Sequence, residues 1–192
     1  GPTPKIIMAK DMLAVNDDYV LSKFTIEDIT DEYIDWLNDP KVVNFLEVRF
    51  LKQDRQTADN YIGSFYKDTE KYLWGIYSKD PASLVGTISL YNINRYHNSA
   101  EISIMIGNTL HWGKSASYGA MYAVINYAFN TLNLRKIYGG TYANNAGMNF
   151  TLKRLGFSLE GKLREAYYTE KNIYADGYRW GLLKKEWEEN HD

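Results

Sequence analysis

The sequence of 192 residues contains no cysteine, three histidines and four prolines. The lack of cysteine excludes disulfide bonds, thiolate metal sites and cysteine nucleophiles, and it fits a reducing compartment. His97, His111 and His191 have no paired spacing of the kind that zinc enzymes use, so we expect no metal cofactor.

Long apolar runs and a large excess of one charge are also missing. No apolar run reaches the length of a membrane span, and no signal-peptide pattern opens the chain. The formal net charge of −2 argues against broad binding to nucleic acid or to an acidic membrane surface. We therefore expect a cytoplasmic protein that binds neither nucleic acid nor a membrane.

The overall composition is that of a globular protein. Hydrophobic residues make up 45% and charged residues 24% of the chain, whose length suffices for a sizeable core. We expect one domain over residues 18–187, an N-terminal extension over residues 1–17 and a short tail over residues 188–192. Gly1-Pro2 resembles the remnant of a protease cleavage site. The 17 tyrosines suit half-buried surfaces and pocket walls, because each ring is apolar with a polar tip.

In the first third of the chain, apolar spacing predicts one strand and two full helices. Residues 19–24 form the strand. Thr25 then caps a helix that ends before Pro40 and carries Ile26, Ile29, Tyr33 and Leu37 on one face. A short helical turn precedes a second helix with Ala58, Tyr61, Ile62 and Phe65 on one face.

The rest of the chain alternates strands with helices. Strands are predicted at 72–78, 84–91, 100–106, 136–142, 158–168 and 173–183. In the third of these strands, Ile102, Ile104 and Ile106 point to one face, and Glu101, Ser103 and Met105 to the other. A long helix reaches Leu132, and a short one ends at Leu155-Gly156-Phe157. This order predicts a mixed α+β fold with a mostly antiparallel sheet and one parallel crossover around the long helix.

The stretch HWGKSASYGA, residues 111–120, lies between a predicted strand and the long helix. The start of a helix exposes unpaired backbone N–H groups and carries partial positive charge, so it can hold a phosphate. Ser115, Ala116 and Ser117 are small, and Lys114 adds a positive charge. Both an anion site and an ordinary strand–helix loop of this composition remain open.

Several stretches together resemble the GNAT acetyltransferases, in that family's order and spacing. The resemblance covers about Asp18 to Trp187. Within the family, the chain is most similar to the branch that includes the ribosomal-protein N-terminal acetyltransferases. It rests on WLNDPKVVNFLEVRF, LVGTISLYNIN, NSAEISIMIGN, HWGKSASYGAMYAVINYAFNTLNLRKIYG, NNAGMNFTLKRLGFSLEGKLRE and YADGYRWGLLKKEW.

The resemblance implies a splayed central sheet flanked by helices, with acetyl-CoA bound as co-substrate between strands 100–106 and 136–142. The pantetheine arm is expected beside the backbone of Ile104, Met105 and Ile106, and beside Asn145. The diphosphate is expected on the loop formed by Trp112, Gly113, Lys114, Ser115, Ala116, Ser117 and Tyr118. This loop departs from the family pattern, because serine occupies two positions that are usually glycine or alanine.

The resemblance also implies the groups that act in acetyl transfer. The amine must lose a proton before or during its attack, and Glu101, within the branch's Ala-Glu-Ile motif, is our candidate to accept it. The other interpretation is a solvent-facing glutamate on an amphipathic strand. His97 is an alternative base. Leu152 occupies the position where many members have a tyrosine that protonates the leaving thiolate. Either another group therefore protonates the thiolate in this chain, or the thiolate leaves without a proton donor.

The expected acceptor is a primary amine on a small molecule. An amino sugar, free or nucleotide-linked, is the first choice, because the stretches FLEVRF and YNIN…NSAEI resemble those of family members that act on amino sugars in surface-polysaccharide pathways. Acceptor contacts are predicted for Glu47, Arg49, Phe50, His97, Tyr167 and Tyr174. A surface ion pair and purely structural tyrosines are the alternatives for these positions. The alternative functions are acetylation of a protein N-terminus and a non-catalytic module that binds an acyl-CoA. A homodimer is compatible with the sequence.

Overall fold

The computed structural model describes residues 12–67 and 69–190. Gly1-Pro2, the rest of the predicted extension up to residue 11, and the last two residues of the predicted tail lie outside this part of the chain. The described chain divides into two compact units. One contains the residues up to Asn92 together with Ser103–Val124, and the other contains Ile93–Ile102 and the residues from Ile125 onward.

Within residues 12–67 and 69–190, eight strands and six α-helices follow one another. The strands are β1 (Met12–Ala14), β2 (Tyr19–Lys23), β3 (Tyr72–Lys79), β4 (Ala82–Asn94), β5 (Ser99–Ile106), β6 (Lys136–Tyr142), β7 (Ser158–Glu170) and β8 (Ile173–Leu183). The helices are α1 (Asp31–Asn38), α2 (Pro40–Val43), α3 (Arg55–Gly63), α4 (Ala116–Asn126), α5 (Ala146–Arg154) and α6 (Lys184–Asn190). None of the helices in the described ranges combines the length and apolar character needed to cross a bilayer.

In the first unit, β1, β2, β3 and β4 form successive antiparallel pairs. The register pairs Leu21 with Ile76 and Trp74 with Ile88. A tight hairpin at Asp80-Pro81 joins β3 to β4, since Lys79 pairs with Ala82. Strand β1 was not predicted, because it has only three residues and lies in the stretch assigned to the N-terminal extension.

The core of the first unit packs α1 and α3 against its sheet. The cluster contains Phe24, Ile29, Tyr33, Trp36, Leu37, Val43, Ala58, Ile62, Phe65, Leu73 and Met105, all at most 8% exposed. Burial of one such large apolar side chain stabilises the fold by roughly 1.5–3 kcal/mol. The predicted apolar faces of the first two helices account for most of this cluster.

The first helix begins later than the sequence predicts. Thr25 starts only a 3-10 turn, Ile26–Asp28, in which its backbone N–H donates to the Asp28 carboxylate over 2.8 Å. The chain then becomes extended at Ile29, with φ −67° and ψ 126°. Helix α1 is capped by Thr30, whose hydroxyl accepts from the Tyr33 backbone N–H. The predicted start at Thr25 is therefore wrong, because the local Thr–Asp capping box closes a separate turn.

In the second unit, the first residues of β5 pair in parallel with β6, and β6, β8 and β7 continue as antiparallel neighbours. The ladder between β5 and β6 runs from Ser99–Lys136 to Glu101–Tyr138. The predicted parallel crossover and the mixed, mostly antiparallel α+β fold are thereby confirmed.

Two helical segments of the second unit differ from the prediction. The long helix changes after Asn126 into a π-helix, Tyr127–Thr131, because the Leu132 N–H bonds to the Tyr127 carbonyl five residues earlier. Helix α6 was not predicted. It continues past residue 187, with Trp187 only 2% exposed and its indole N–H donating to Asn126 Oδ1 over 2.8 Å.

Candidate active site

The loop between β5 and α4 folds back onto the end of β5. After the 3-10 turn Thr109–His111, the indole N–H of Trp112 donates to the Ile106 carbonyl oxygen over 2.9 Å. Gly113 then takes φ +74°, in the left-handed region that favours glycine. The loop therefore has a defined shape, held at Trp112 and turned at Gly113.

Helix α4 begins directly after Ser115. The Gly119 N–H donates to the Ser115 carbonyl over 2.9 Å, which is the first bond of the helix. The N–H groups of residues 116–118 lack an acceptor within the helix, as at every helix start, and the helix dipole adds partial positive charge there. Exposed Lys114 precedes them. This arrangement is suited to phosphate oxygens.

The turn between β1 and β2 contacts this loop through two side-chain hydrogen bonds. Asn16 Nδ2 donates to Ser115 Oγ over 3.3 Å. The Tyr19 hydroxyl and His111 Nδ1 are 2.6 Å apart, and their rings meet edge to face. Neither Asn16 nor Tyr19 was a candidate in the sequence analysis.

The protonation states of Tyr19 and His111 follow from their surroundings. Burial, and then the negative charge of Asp18, raise the pKa of Tyr19. Burial, and then the positive charge of Lys114, lower the pKa of His111 below its ordinary 6.5. At neutral pH the tyrosine therefore keeps its proton and the imidazole is uncharged.

The two faces of the end of β5 differ in exposure. Met105 lies in the core cluster at 8% exposure, whereas Ile104 and Ile106 are half-buried. The Ile106 carbonyl already accepts the Trp112 bond. The expected pairing of a pantetheine arm with this backbone stays a prediction.

The predicted acceptor wall, Glu47, Arg49 and Phe50, forms one 3-10 turn, Glu47–Phe50. The Arg49 guanidinium carbon lies 4.1 Å from the centre of the Phe50 ring, a cation–π contact. Phe50 is 50% exposed, and Glu47 is also exposed. The turn therefore exposes an aromatic ring and a carboxylate, and the half-buried Arg49 packs its guanidinium on that ring.

In the second unit, Glu101 lies beside a tyrosine that the sequence analysis missed. Glu101 and Tyr138 are the last pair of the parallel ladder. Burial raises the pKa of Tyr138, the charge of Glu101 raises it further, and the charge of Arg179 lowers it. Arg179 lies over Gly140, where a Cβ would be 3.0 Å from a guanidinium nitrogen. A carboxylate, a protonated phenol and a guanidinium are thus brought together.

Asn145 caps helix α5. Its Oδ1 accepts from the Met148 N–H over 3.3 Å, and its own N–H donates to the Tyr142 carbonyl over 3.0 Å. The predicted contact of Asn145 with pantetheine stays a prediction. Leu152, on the same helix, is buried at 3% exposure and has no proton to donate.

A buried polar network holds the turn before α5. The Trp180 indole N–H donates to Thr141 Oγ1 over 3.0 Å, and Thr141 Oγ1 lies 2.5 Å from Asn149 Oδ1. Asn149 Nδ2 in turn donates to the Tyr142 and Ala143 carbonyls over 3.2 and 3.1 Å. Asn149 therefore fixes the end of β6, from which the turn to Asn145 departs.

The hairpin tyrosines differ in how much of each ring is open. Tyr167 stacks on Tyr142, with ring centres 4.3 Å apart and planes within 5°. A Cβ at Gly177 would lie 2.7 Å from the Tyr167 ring. Tyr174 is 51% exposed and meets Tyr168 edge-on at 5.9 Å. Tyr167 thus has a structural role in packing, and the predicted acceptor contacts of both Tyr167 and Tyr174 stay predictions.

His97 lies in the exposed turn before β5. Its backbone N–H donates to Asn94 Oδ1 over 2.9 Å, and its carbonyl accepts from Arg135 Nη2 over 3.1 Å. The backbone of His97 therefore holds the turn, while its predicted function as a base or acceptor contact stays a prediction.

Comparison with known proteins decides the family. The model of the acetyltransferase (GNAT) domain matches residues 19–158, which is most of the chain. The chain belongs to the GNAT acetyltransferase family. The chain is therefore an N-acetyltransferase, as the resemblance implied.

Named relatives of this GNAT protein cover most of its length. It is 28% identical over 169 residues to an uncharacterized N-acetyltransferase, p20, of Bacillus licheniformis, covering 87% of this chain and 93% of the relative. It is 34% identical over 144 residues to YdaF of Bacillus subtilis strain 168, a candidate ribosomal N-acetyltransferase, covering 72% of this chain and 78% of the relative. A spermidine N(1)-acetyltransferase of Vibrio cholerae is 31% identical over 105 residues, covering 55% of this chain and 60% of the relative.

Solved structures show the same fold. A crystal structure of an acetyltransferase superposes with a TM-score of 0.77 at 24% identity, covering 92% of this chain and 98% of the other. The spermidine N-acetyltransferase from Vibrio cholerae in complex with CoA and spermine superposes with a TM-score of 0.78 at 22% identity, covering 90% and 99%. Since both identities are below 25%, these likenesses support the GNAT fold alone.

Proposed function

We propose that this GNAT protein transfers the acetyl group of acetyl-CoA to a primary amine. The observation that carries the proposal is the shaped loop at Trp112 and Gly113, which leads into the N–H groups at the start of α4. In a GNAT chain, such a helix start is suited to the diphosphate of coenzyme A. The serines at positions 115 and 117 are small, and Ser115 is exposed, so neither closes the loop.

Glu101 is the proposed proton acceptor. The amine nitrogen attacks the thioester carbonyl, the carbon–sulfur bond breaks, and coenzyme A leaves as the thiolate. The proton lost by the amine passes to the Glu101 carboxylate, directly or through a water. Tyr138 lies beside Glu101, and its raised pKa keeps it protonated. Since position 152 is a buried leucine, Tyr138 is the proposed proton donor to the thiolate. Alignment of amine and thioester contributes much of the remaining rate.

The first-choice acceptor is an amino sugar. Phe50 offers a half-exposed ring with the Arg49 guanidinium stacked on it, and Glu47 adds an exposed carboxylate. Aromatic rings pack against apolar sugar faces, while guanidinium and carboxylate groups bind hydroxyl and ammonium groups. These three residues therefore combine the contacts that an amino sugar uses.

Two other acceptors have support from relatives. The Vibrio cholerae relative is named for spermidine, and YdaF for a ribosomal acceptor. A polyamine and a protein N-terminus are therefore the second candidates. The cytoplasmic location and the homodimer stay predictions.

The test is a panel of free and nucleotide-linked amino sugars, spermidine and short peptides, scored by thiol released from acetyl-CoA. Turnover on an amino sugar well above the other classes is expected. Turnover confined to spermidine or to peptides would make that class the acceptor in place of an amino sugar. No turnover with any amine would refute acetyl transfer.

Glu101→Gln separates catalysis from binding. Loss of a general base lowers the turnover number by about 10²–10⁴-fold. The affinity for acetyl-CoA, measured by calorimetry, is expected to stay near that of the unmodified protein. An unchanged turnover number would remove Glu101 from this role.

A further inference from the structure

Two hydrogen bonds join the β1–β2 turn to the loop before α4, and the polarity of the Asn16 bond is fixed. Asn16 Oδ1 accepts from the backbone N–H groups of Asp18 and Tyr19, over 2.9 and 3.0 Å. Since the carbonyl side of this amide is occupied by two donors, its NH₂ side faces Ser115. Ser115 Oγ is therefore the acceptor of that bond, and its own hydrogen points elsewhere.

The second bond joins the Tyr19 hydroxyl to His111 Nδ1. Tyr19 is 3% exposed and keeps its proton, and its hydroxyl oxygen lies 2.6 Å from Nδ1 of the neutral imidazole, a geometry in which the phenol can donate to Nδ1. The ring hydrogen of His111 then resides on Nε2. In that tautomer the Nε2–H group is a hydrogen-bond donor.

The turn reaches the loop because helix α4 has no side chain at Gly119. A Cβ there would lie 2.7 Å from Val15 Cγ1 and 3.0 Å from Asn16 Nδ2. The turn thus packs directly on the first turn of α4, which holds Asn16 next to Ser115.

We infer that Asn16 and Tyr19 are positioning residues for the cofactor: they occupy the acceptor atoms of Ser115 and His111, so that the Ser115 O–H and the His111 Nε2–H are left to donate to the phosphate oxygens of coenzyme A. This inference rests on the proposed function. It also accounts for serine at position 115, because a hydroxyl whose acceptor side is occupied acts as an additional donor beside the backbone N–H groups.

The first experiment compares two acetyl donors on Tyr19→Phe. This variant keeps the buried ring and removes the O–H. Loss of one oriented donor raises the KM for acetyl-CoA by about 3- to 10-fold. The kcat at saturation and the kcat/KM for S-acetylpantetheine, which lacks the diphosphate, are expected to stay within twofold. Tyr96→Phe, at a position 98% exposed, is the matched control and leaves both donors unaffected.

Nitrogen-15 NMR of the histidine rings gives an independent readout. In the unmodified protein, His111 is expected to show the Nε2–H tautomer, and in Tyr19→Phe a mixture of both tautomers. An unchanged KM together with an unchanged tautomer would overturn the inference. An equal loss with both acetyl donors would also overturn it, because a purely structural change does not distinguish the phosphates.

A double-mutant cycle tests Asn16. In Asn16→Asp the carboxylate still accepts from the turn N–H groups, but it also accepts the Ser115 O–H and removes that donor. We expect Asn16→Asp to raise the KM for acetyl-CoA severalfold. In a Ser115→Ala background, where there is no hydroxyl to lose, the same substitution should raise the KM only by the effect of its added negative charge. The same effect in both backgrounds would overturn the role of Asn16. Failure of the unmodified protein to bind coenzyme A in calorimetry would instead refute the proposed function, whereas the tautomer measurement still reads out the Tyr19–His111 bond.

Discussion

Gly107, the first residue after β5, is a sharp test of the packing that leads to the cofactor loop. A Cβ on Gly107 would lie 2.0 Å from Trp36 Cδ2 and 2.2 Å from Trp36 Cε3. Trp36 is 7% exposed within the core cluster, so its ring cannot move aside without repacking α1. The Gly107 N–H also donates to the Val85 carbonyl over 2.9 Å, which restrains the backbone.

Gly107→Ala is therefore expected to destabilise the protein by about 2 kcal/mol, in the middle of the range for overpacked cores. For a chain of this length, about 1 kcal/mol shifts the melting temperature by about 2–4 °C, so we expect a fall of about 4–8 °C. Urea unfolding followed by tryptophan fluorescence gives the free energy, and calorimetry gives the melting temperature.

The matched control is Gly147→Ala, in the first turns of α5, where an added Cβ has no atom within 4 Å. Alanine is favoured over glycine in a helix by about 0.5–1 kcal/mol, so this variant should be as stable as the unmodified protein or more so. If Gly107→Ala unfolded at the same urea concentration as the Gly147→Ala control, the close approach of Trp36 to Gly107 would be refuted.

Three further results are expected. Gly113→Ala places a side chain at φ +74°, which costs roughly 1–2 kcal/mol at the loop, so the melting temperature should fall by about 2–8 °C and the KM for acetyl-CoA should rise. An unchanged KM would contradict this expectation. Thr141→Val leaves the buried indole N–H of Trp180 without its acceptor, so the free energy of unfolding measured in urea should fall by about 1–3 kcal/mol. A fall of less than about 0.5 kcal/mol, half the value of an ordinary hydrogen bond, would contradict the Trp180–Thr141 bond. The folded pKa of His111 lies below its unfolded value of 6.5, so the unfolded state takes up the proton at a higher pH than the folded state does. The stability contributed by the neutral ring is therefore present above pH 6.5 and decreases as the pH falls below that value. His111→Gln should lack this part of the decrease, and parallel profiles of stability against pH for the two proteins would refute the expectation.

Much of the sheet could be predicted from periodicity alone. Strand β5 was predicted at 100–106 and spans Ser99–Ile106, because Ile102, Ile104 and Ile106 alternate along it. The start of the first helix was misplaced, because both Thr25 and Thr30 are good caps and only the tertiary structure decides between them. Strand β1 was missed because a three-residue strand has too few positions to show a period.

The candidate site was predicted only where the family resemblance reached. Loop residues 112–118 follow a recognisable pattern, and Glu101 lies in a recognisable motif. Asn16 belongs to no motif and precedes residue 19, where the match to the family model begins. The position of Tyr138 beside Glu101 could have been predicted only from the expected parallel pairing of their two strands. That prediction also requires the register of the pairing, which the sequence does not supply.

The two bonds from the β1–β2 turn join residues 92 and 99 positions apart, and this separation has a consequence in time. The turn is synthesised early, but it has no loop to contact until about half of the chain has followed. Closing so large a loop costs entropy before the contact is made, so such bonds form late in folding. Substitutions at Asn16 and Tyr19 should then accelerate unfolding and leave the folding rate nearly unchanged, so that the loop before α4 takes its final shape as one of the last steps of folding.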